Sequence, residues 1–361
     1  MPGPVPRASQ RGADRLPQAA ARLDWLDAAK GIGIVLVVLG HAMGGLMDVP
    51  GAASNAAMQA LFFVVYTFHM PLFFFLAAVL VPRRLEKSPQ QFARSLGTRV
   101  IYPYLLWSVI QFSVIFAAGS LVNSPVESYW PTILALPWQP VAQFWFLYVL
   151  ALLQLASLAL PALAPRGWPW LLLAGAVGLR IAAIIEPRSG VFDQAMLFSM
   201  YYALGLICGT ARIERLRQTS PAIIVLSAVA FVAVLALTVR WSLLPLLHVV
   251  PDPSSPKLAW AAGQPIAMPA AFLGVFLCLV LGLRLRGRAA RLMVHLGQAS
   301  MAIYLTHVIV LSGCRIGLIK LAGLSPSIIL ALVLTLLGIA GGVIARQVSE
   351  KLRISRWTGL A

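Results

Sequence analysis

Charge is what this chain has least of. Only 11% of its 361 residues are Asp, Glu, Lys or Arg, where a soluble domain carries about a quarter. That scarcity excludes a soluble enzyme and a disordered chain. Acidic residues are rarest, 11 against 28 basic ones. The three cysteines (Cys208, Cys278, Cys314) sit inside apolar runs, so no disulfide framework is encoded. Metal-ligand spacing of the H-E-x-x-H kind is missing, as are a phosphate loop and a deep carboxylate pair. Without acidic co-ligands at depth, no metal site is expected. Apolar residues are abundant instead, at 60% of the chain, with a mean hydropathy of +0.86. Such a composition belongs to an all-α, polytopic integral membrane protein.

Crossing a bilayer as helix takes about 20 mostly apolar residues. About ten such stretches can be read: 30–48, 58–81, 99–119, 141–161, 168–186, 195–211, 221–239, 262–283, 298–320 and 326–345. The net charge of +17 would suggest nucleic acid in a soluble protein. Here the basic residues are split among short loops and a tail, which argues against nucleic-acid binding. With the N-terminus placed in the cytoplasm, 22 of the 28 basic residues fall on the cytoplasmic side. The six left on the other side are Arg180, Arg188, Arg240, Lys257, Arg315 and Lys320. Both termini are therefore expected inside, with an even number of spans. Residues 1–26 read as a flexible basic cytoplasmic tail, 27–345 as the transmembrane domain and 346–361 as a cytoplasmic C-terminal tail. Asp24 and Asp27 are expected to cap the first helix. Loops near 120–140 and 240–261 hold Trp130, Trp138, Trp241 and Trp260, which suit a membrane interface.

Ionisable residues inside hydrocarbon are expensive, so each is a functional candidate. His41 lies 11 residues past Lys30, or ~16 Å into the membrane at 1.5 Å per residue. His69 lies 14 residues before Arg83, or ~21 Å from the same edge. Consecutive helices on a short loop are usually neighbours, so these two rings are expected to face one cavity. His307 is also deep, nine residues into the ninth span. Water exclusion disfavours an imidazolium, and a neutral imidazole can take a proton from a hydroxyl as general base. Hydrogen bonding between helices for stability is the plainer role. Gly40 and Gly44 bracket His41 and remove bulk beside it; the same spacing at Gly205/Gly209, Gly313/Gly317 and Gly338/Gly342 reads as helix packing. Pro71, two residues past His69, is expected to kink the second span and open a pocket.

These residues resemble a known family. D-A-A-K-G-I-G-I-V-L-V-V-L-G-H-A (27–42) is similar to the opening helix of the integral-membrane acyltransferase family 3, with a basic residue, ten intervening residues and a histidine. Its D-x-x-K-G form resembles the branch with fucose-4-O-acetylase-like proteins. Y-T-F-H-M-P-L-F-F-F-L (66–76) resembles the family's second helix, although Ala77 and Ala78 stand where Ser-Gly is common. Arg99 with Y-P-Y (102–104), F-W-F-L (144–147) and G-Q-A-S-M-A-I-Y-L-T-H (297–307) resemble later family elements.

The resemblance implies an O-acyltransferase. It would move an acyl group, acetyl by default, from acyl-CoA to a hydroxyl of a cell-surface carbohydrate or lipid-linked glycan. It also implies a multi-pass place in the bacterial inner membrane. Acyl-CoA would be a co-substrate, with no resident cofactor. Lys30, Arg83, Arg84 and Arg99 form an expected basic rim for its phosphates; positive-inside bias accounts for Arg83 and Arg84 equally well. His41 would be the base, and His69 would orient it or polarise the thioester carbonyl. An acyl-histidine intermediate is the mechanistic variant. The rival reading is a proton-coupled transporter or flippase for a glycan or lipid-linked intermediate, which also suits buried histidines and glycine-rich helices.

Overall fold

In lipid, backbone groups have no water to bond, so a spanning chain closes its hydrogen bonds within helices. The computed structural model describes residues 23–49, 56–122, 128–185, 191–240 and 257–360, and every regular element among them is helical. The first four helices are α1 (Asp24–Met47), α2 (Ala56–Ala78), α3 (Val81–Lys87) and α4 (Pro89–Leu96). A π-helical turn at Gly97–Ile101 carries Arg99 and runs into α5 (Tyr102–Ala118). Next come α6 (Tyr129–Ala135), α7 (Trp145–Leu163), α8 (Trp168–Ile185), α9 (Val191–Arg215) and α10 (Pro221–Arg240). The last five are α11 (Lys257–Arg284), α12 (Gly287–Gln298), α13 (Ser300–Arg315), α14 (Ile328–Lys351) and α15 (Ser355–Thr358).

Each of the ten apolar stretches falls on one of these helices. Length and composition qualify six helices to cross a membrane among the described residues, or up to eight if each bent pair is one span. The bent pairs are Leu197–Gln218 with Pro221–Leu237, at 110°, and Met268–Arg284 with Gly287–Gln298, at 119°. The difference from ten lies in α8 to α12, whose flanking segments 186–190 and 241–256 are outside the described residues. The tail at 1–22, Trp241 and the side chain of Trp260 are outside them too. Trp130 and Trp138 are exposed, as interfacial residues should be. Large apolar side chains also point outward, including Val225, Leu226 and Val229 of α10 and Ile329 and Leu336 of α14. A water-soluble fold avoids such continuous apolar faces; lipid is their natural solvent. The chain is a multi-pass membrane protein.

α1 is the central helix, packed on α2, α11, α12, α13 and α14. Small residues make this possible. A Cβ on Gly31 would run into the backbone of Met293, and one on Gly297 into the backbone of Asp27. Both glycines therefore let α1 and α12 approach backbone to backbone. On α14, Gly338 makes room for the Val38 side chain of α1, and Gly342 lets the backbone of Ile303 on α13 come close. The expected packing role fails at Gly313/Gly317, where nothing lies within 4 Å of either Cβ position. Gly205 packs on Phe75 and Ala78, but Gly209 marks a break inside α9, with φ at 57°. The expected aspartate cap also needs correction. α1 starts at Asp24 after Leu23, with no side-chain cap, so Asp24 and Asp27 sit in the first turn, where carboxylates suit the helix dipole.

Candidate active site

Three histidines converge from three helices. The rings of His41 on α1 and His307 on α13 have centroids 5.0 Å apart, tilted by 59°. His69 on α2 stands edge-on to Tyr66 at 4.8 Å, and Tyr66 in turn packs on Gly40, where a Cβ would come within 2.8 Å of its ring. Tyr66 thus fits between His69 and the backbone beside His41, a place that only a glycine leaves open. The sequence paired His41 with His69; the ring contact in the fold is with His307.

Hydrogen bonds define two of the tautomers. His69 Nδ1 lies 2.7 Å from the Val65 carbonyl oxygen. A carbonyl only accepts, so Nδ1 carries the hydrogen and Nε2 of the neutral ring holds a lone pair. His307 repeats this, with Nδ1 donating to the carbonyls of Ile303 (3.1 Å) and Tyr304 (2.7 Å). Its Nε2 is buried and has no hydrogen-bond partner. Both side chains are almost fully buried, whereas His41 is half-buried.

Two cavities lie along α1 on either side of this cluster, and of the three histidines only His41 lines one of them, the smaller; the expectation that His41 and His69 share a cavity is not met. The larger, about 720 Å³, is lined at one end by Lys30, Arg84, Arg99, Arg346 and Arg356. Its other walls include the apolar Met70, Phe73 and Phe146, and its furthest lining residues along α1 and α13 are Val37 and Tyr304. The smaller, about 410 Å³, begins at His41 and opens past Gly44, Gly45 and Phe62 toward Asp48, Ser312 and Arg315. Val37 and His41 are one helical turn apart, ~6 Å along the axis. The cavities therefore end one helical turn apart on α1, with a partition between them that shows His41 to the smaller cavity only.

The basic residues divide accordingly. Lys30, 3.6 Å from Asp27, Arg84 and Arg99 come together on the larger cavity. Arg83 is exposed and does not line it. Arg346, bridged to Glu350 at 2.8 Å, and Arg356 are additions that sequence reading placed only in a cytoplasmic tail. No local pattern could have found them, because they come from the far end of the chain. His307 did have a signal, the I-Y-L-T-H run. In the smaller cavity Arg315 Nη1 donates to the Gly45 carbonyl at 2.6 Å, so a cation inside a predicted span serves to hold the end of α1.

The aromatic motifs build the walls. Phe144 and Leu147 are fully buried, and Phe146 packs on Phe74 at 4.9 Å and on Tyr304 at 5.6 Å. Tyr304 donates its hydroxyl to the Gln143 carbonyl, while Gln143 and Gln111 exchange amide hydrogen bonds. These contacts fix α5, α7 and α13 around the larger cavity.

A family profile for an acyltransferase domain matches residues 23–346. The chain belongs to acyltransferase family 3. Membership makes it a membrane acyltransferase. The match covers all three histidines and the cations up to Arg346, and ends before Arg356. No curated protein matches the acyltransferase, and no solved structure does.

Proposed function

We propose that this acyltransferase carries an acyl group, acetyl by default, from cytoplasmic acyl-CoA to a hydroxyl of a cell-surface carbohydrate or lipid-linked glycan. It would do so in the bacterial inner membrane, with both termini in the cytoplasm. The observation that carries the reading is the pair of cavities ending one helical turn apart on α1. The larger has the chemistry of a donor site. Its cations would hold the nucleotide phosphates, as guanidinium forks and ammonium groups do, and its apolar throat would take the pantetheine arm. The smaller has the chemistry of an acceptor site, since Asp48, Ser312 and Arg315 offer polar partners and Phe62 an apolar face.

At the partition, His41 takes the hydroxyl proton of the acceptor. The oxygen attacks the thioester carbonyl, the C–S bond breaks, and the proton returns to the sulfur as CoA leaves. The thioester is already activated, so alignment and proton removal are the enzyme's tasks. Polarising the carbonyl would need a donor, and a neutral His69 has a lone pair at Nε2. Orientation is therefore the role its geometry supports. His307 is the closer positioning residue: its unpartnered Nε2 can accept an N–H from the adjacent His41 ring, leaving the other His41 nitrogen free for the acceptor. In the acyl-histidine variant that same nitrogen attacks the thioester instead.

Release of free CoA thiol by the purified protein, with candidate glycans and acetyl-CoA, tests the reading against a transporter. The acyltransferase releases thiol only when an acceptor is present; a carrier moves substrate with no thiol release. Acceptor-dependent release that survives His41→Ala unchanged would falsify His41 as the base.

A further inference from the structure

Past the family-matched residues, the chain turns back onto the larger cavity. α14 ends at Lys351, Arg353 takes a left-handed φ of 58°, and Ile354 N bonds back to the Ser349 carbonyl at 2.9 Å. The reversal delivers α15 and Gly359 to the cavity wall, where Ser355, Arg356 and Gly359 are lining residues. Four contacts hold this segment. Tyr102 Oη donates to the Trp357 carbonyl at 2.6 Å, and Trp107 Nε1 donates to the Thr358 carbonyl at 2.7 Å. Both acceptors are end-of-helix carbonyls that the short α15 leaves open. Gly359 has a φ of 69° and lies so close to Pro103 that a Cβ would stand 2.9 Å from the ring. Only glycine meets both conditions. Leu360 is then buried, at 4% exposure, in the main apolar core.

A free tail would make none of these contacts. We propose that the C-terminal segment 355–360 is a wall of the donor site and that Arg356 is one of its anion-binding residues, a deepening that rests on the acyl-CoA reading above. The charge balance argues for it. Arg346 is partly neutralised by Glu350 and Lys30 by Asp27. A 3′-phosphate monoester alone carries about −2 charge near neutrality, and the diphosphate of CoA adds more. Arg356 supplies an additional cation from α15, an element the rest of the lining cations do not come from. The wall is set by α5, so the Y-P-Y element acts on the donor site through the segment that Tyr102 and Pro103 hold.

Kinetics of the full-length protein in detergent test this, with acetyl-CoA as the varied substrate. Arg356→Ala should raise the acetyl-CoA KM about tenfold, the loss expected for one charge-assisted contact, with kcat and the acceptor KM unchanged. Arg356→Lys should recover part of it. Trp107→Phe should move the acetyl-CoA KM the same way, although Trp107 does not line the cavity. Thermal melting of each variant checks that the fold is intact. Wild-type protein that binds acetyl-CoA, with an Arg356→Ala KM within twofold of it, overturns the wall assignment alone. Wild-type protein that does not bind acetyl-CoA overturns the donor reading and the wall with it.

Discussion

His41 and His307 differ in what surrounds them, and the difference sorts their roles. His41 is half-buried at the blind end of a cavity, so a substrate can touch it. His307 is fully enclosed, so it acts only through a neighbour. Replacing His41 with Ala is expected to lower kcat for acyl transfer at least ~100-fold, the usual contribution of a general base. The comparison to make is acceptor-dependent thiol release at saturating acetyl-CoA. His307→Leu keeps the bulk and removes the Nε2 lone pair. A fall of about tenfold in kcat is expected, the size of one hydrogen bond to a charged ring, with acetyl-CoA KM unmoved. His307→Gln, which restores an acceptor, should lose less. Equal losses for the two variants would reduce His307 to a packing residue. Arg99 lines the larger cavity, the proposed donor site. Arg99→Ala should raise acetyl-CoA KM by about tenfold while the melting temperature stays near wild type, because the side chain is exposed.

Helices here are placed by their glycines. α1 can sit at the centre of the bundle only because Gly31 and Gly297 admit α12 and Gly338 leaves room for Val38 against α14, while Gly342 seats α14 on α13. Gly297→Leu drives a side chain into the Asp27 backbone, which cannot give way. Loss of monodisperse protein in detergent, or a large drop in melting temperature, is the expected result. Gly313→Ala is the contrasting case. Nothing lies within 4 Å of its Cβ position, so stability should stay level or rise by up to ~1 kcal/mol from helix propensity. Sequence spacing alone treats Gly313/Gly317 and Gly338/Gly342 alike. The structure separates them because a small-residue pair matters only where another backbone arrives. Pro71 lies inside α2, buried, and α2 continues for seven residues beyond it.

Across the whole molecule, the two cavities differ in the charge of their linings. The larger gathers five cations against one lining carboxylate, Asp27, whereas the smaller pairs Arg315 with Asp48. Donor binding should therefore weaken with salt. Raising ionic strength from ~0.05 to ~0.5 M shortens the screening length from about 14 to about 4 Å, and acetyl-CoA KM should rise several-fold. An uncharged acceptor's KM should hold steady over the same range, and parallel shifts in both would place the two substrates in one electrostatic environment. Bilayer reconstitution would show which face each cavity opens to, by applying acetyl-CoA to one side of a vesicle at a time.

Membrane class, helical content, the Lys30–His41 spacing and the family were all legible before any coordinates. Each depends on local properties: hydropathy along the chain, 1.5 Å per residue within one helix, and motifs read in order. Three other things came only from the tertiary structure: the His41–His307 contact, the entry of Arg346 and Arg356 into the lining of the larger cavity, and the absence of Arg83 from it. The first two bring residues from the far end of the chain to His41 and Lys30, more than 250 positions away, and the third separates Arg83 from its neighbour Arg84. What decides them is how closely backbones pack and where the chain reverses after α14, and no linear pattern carries either.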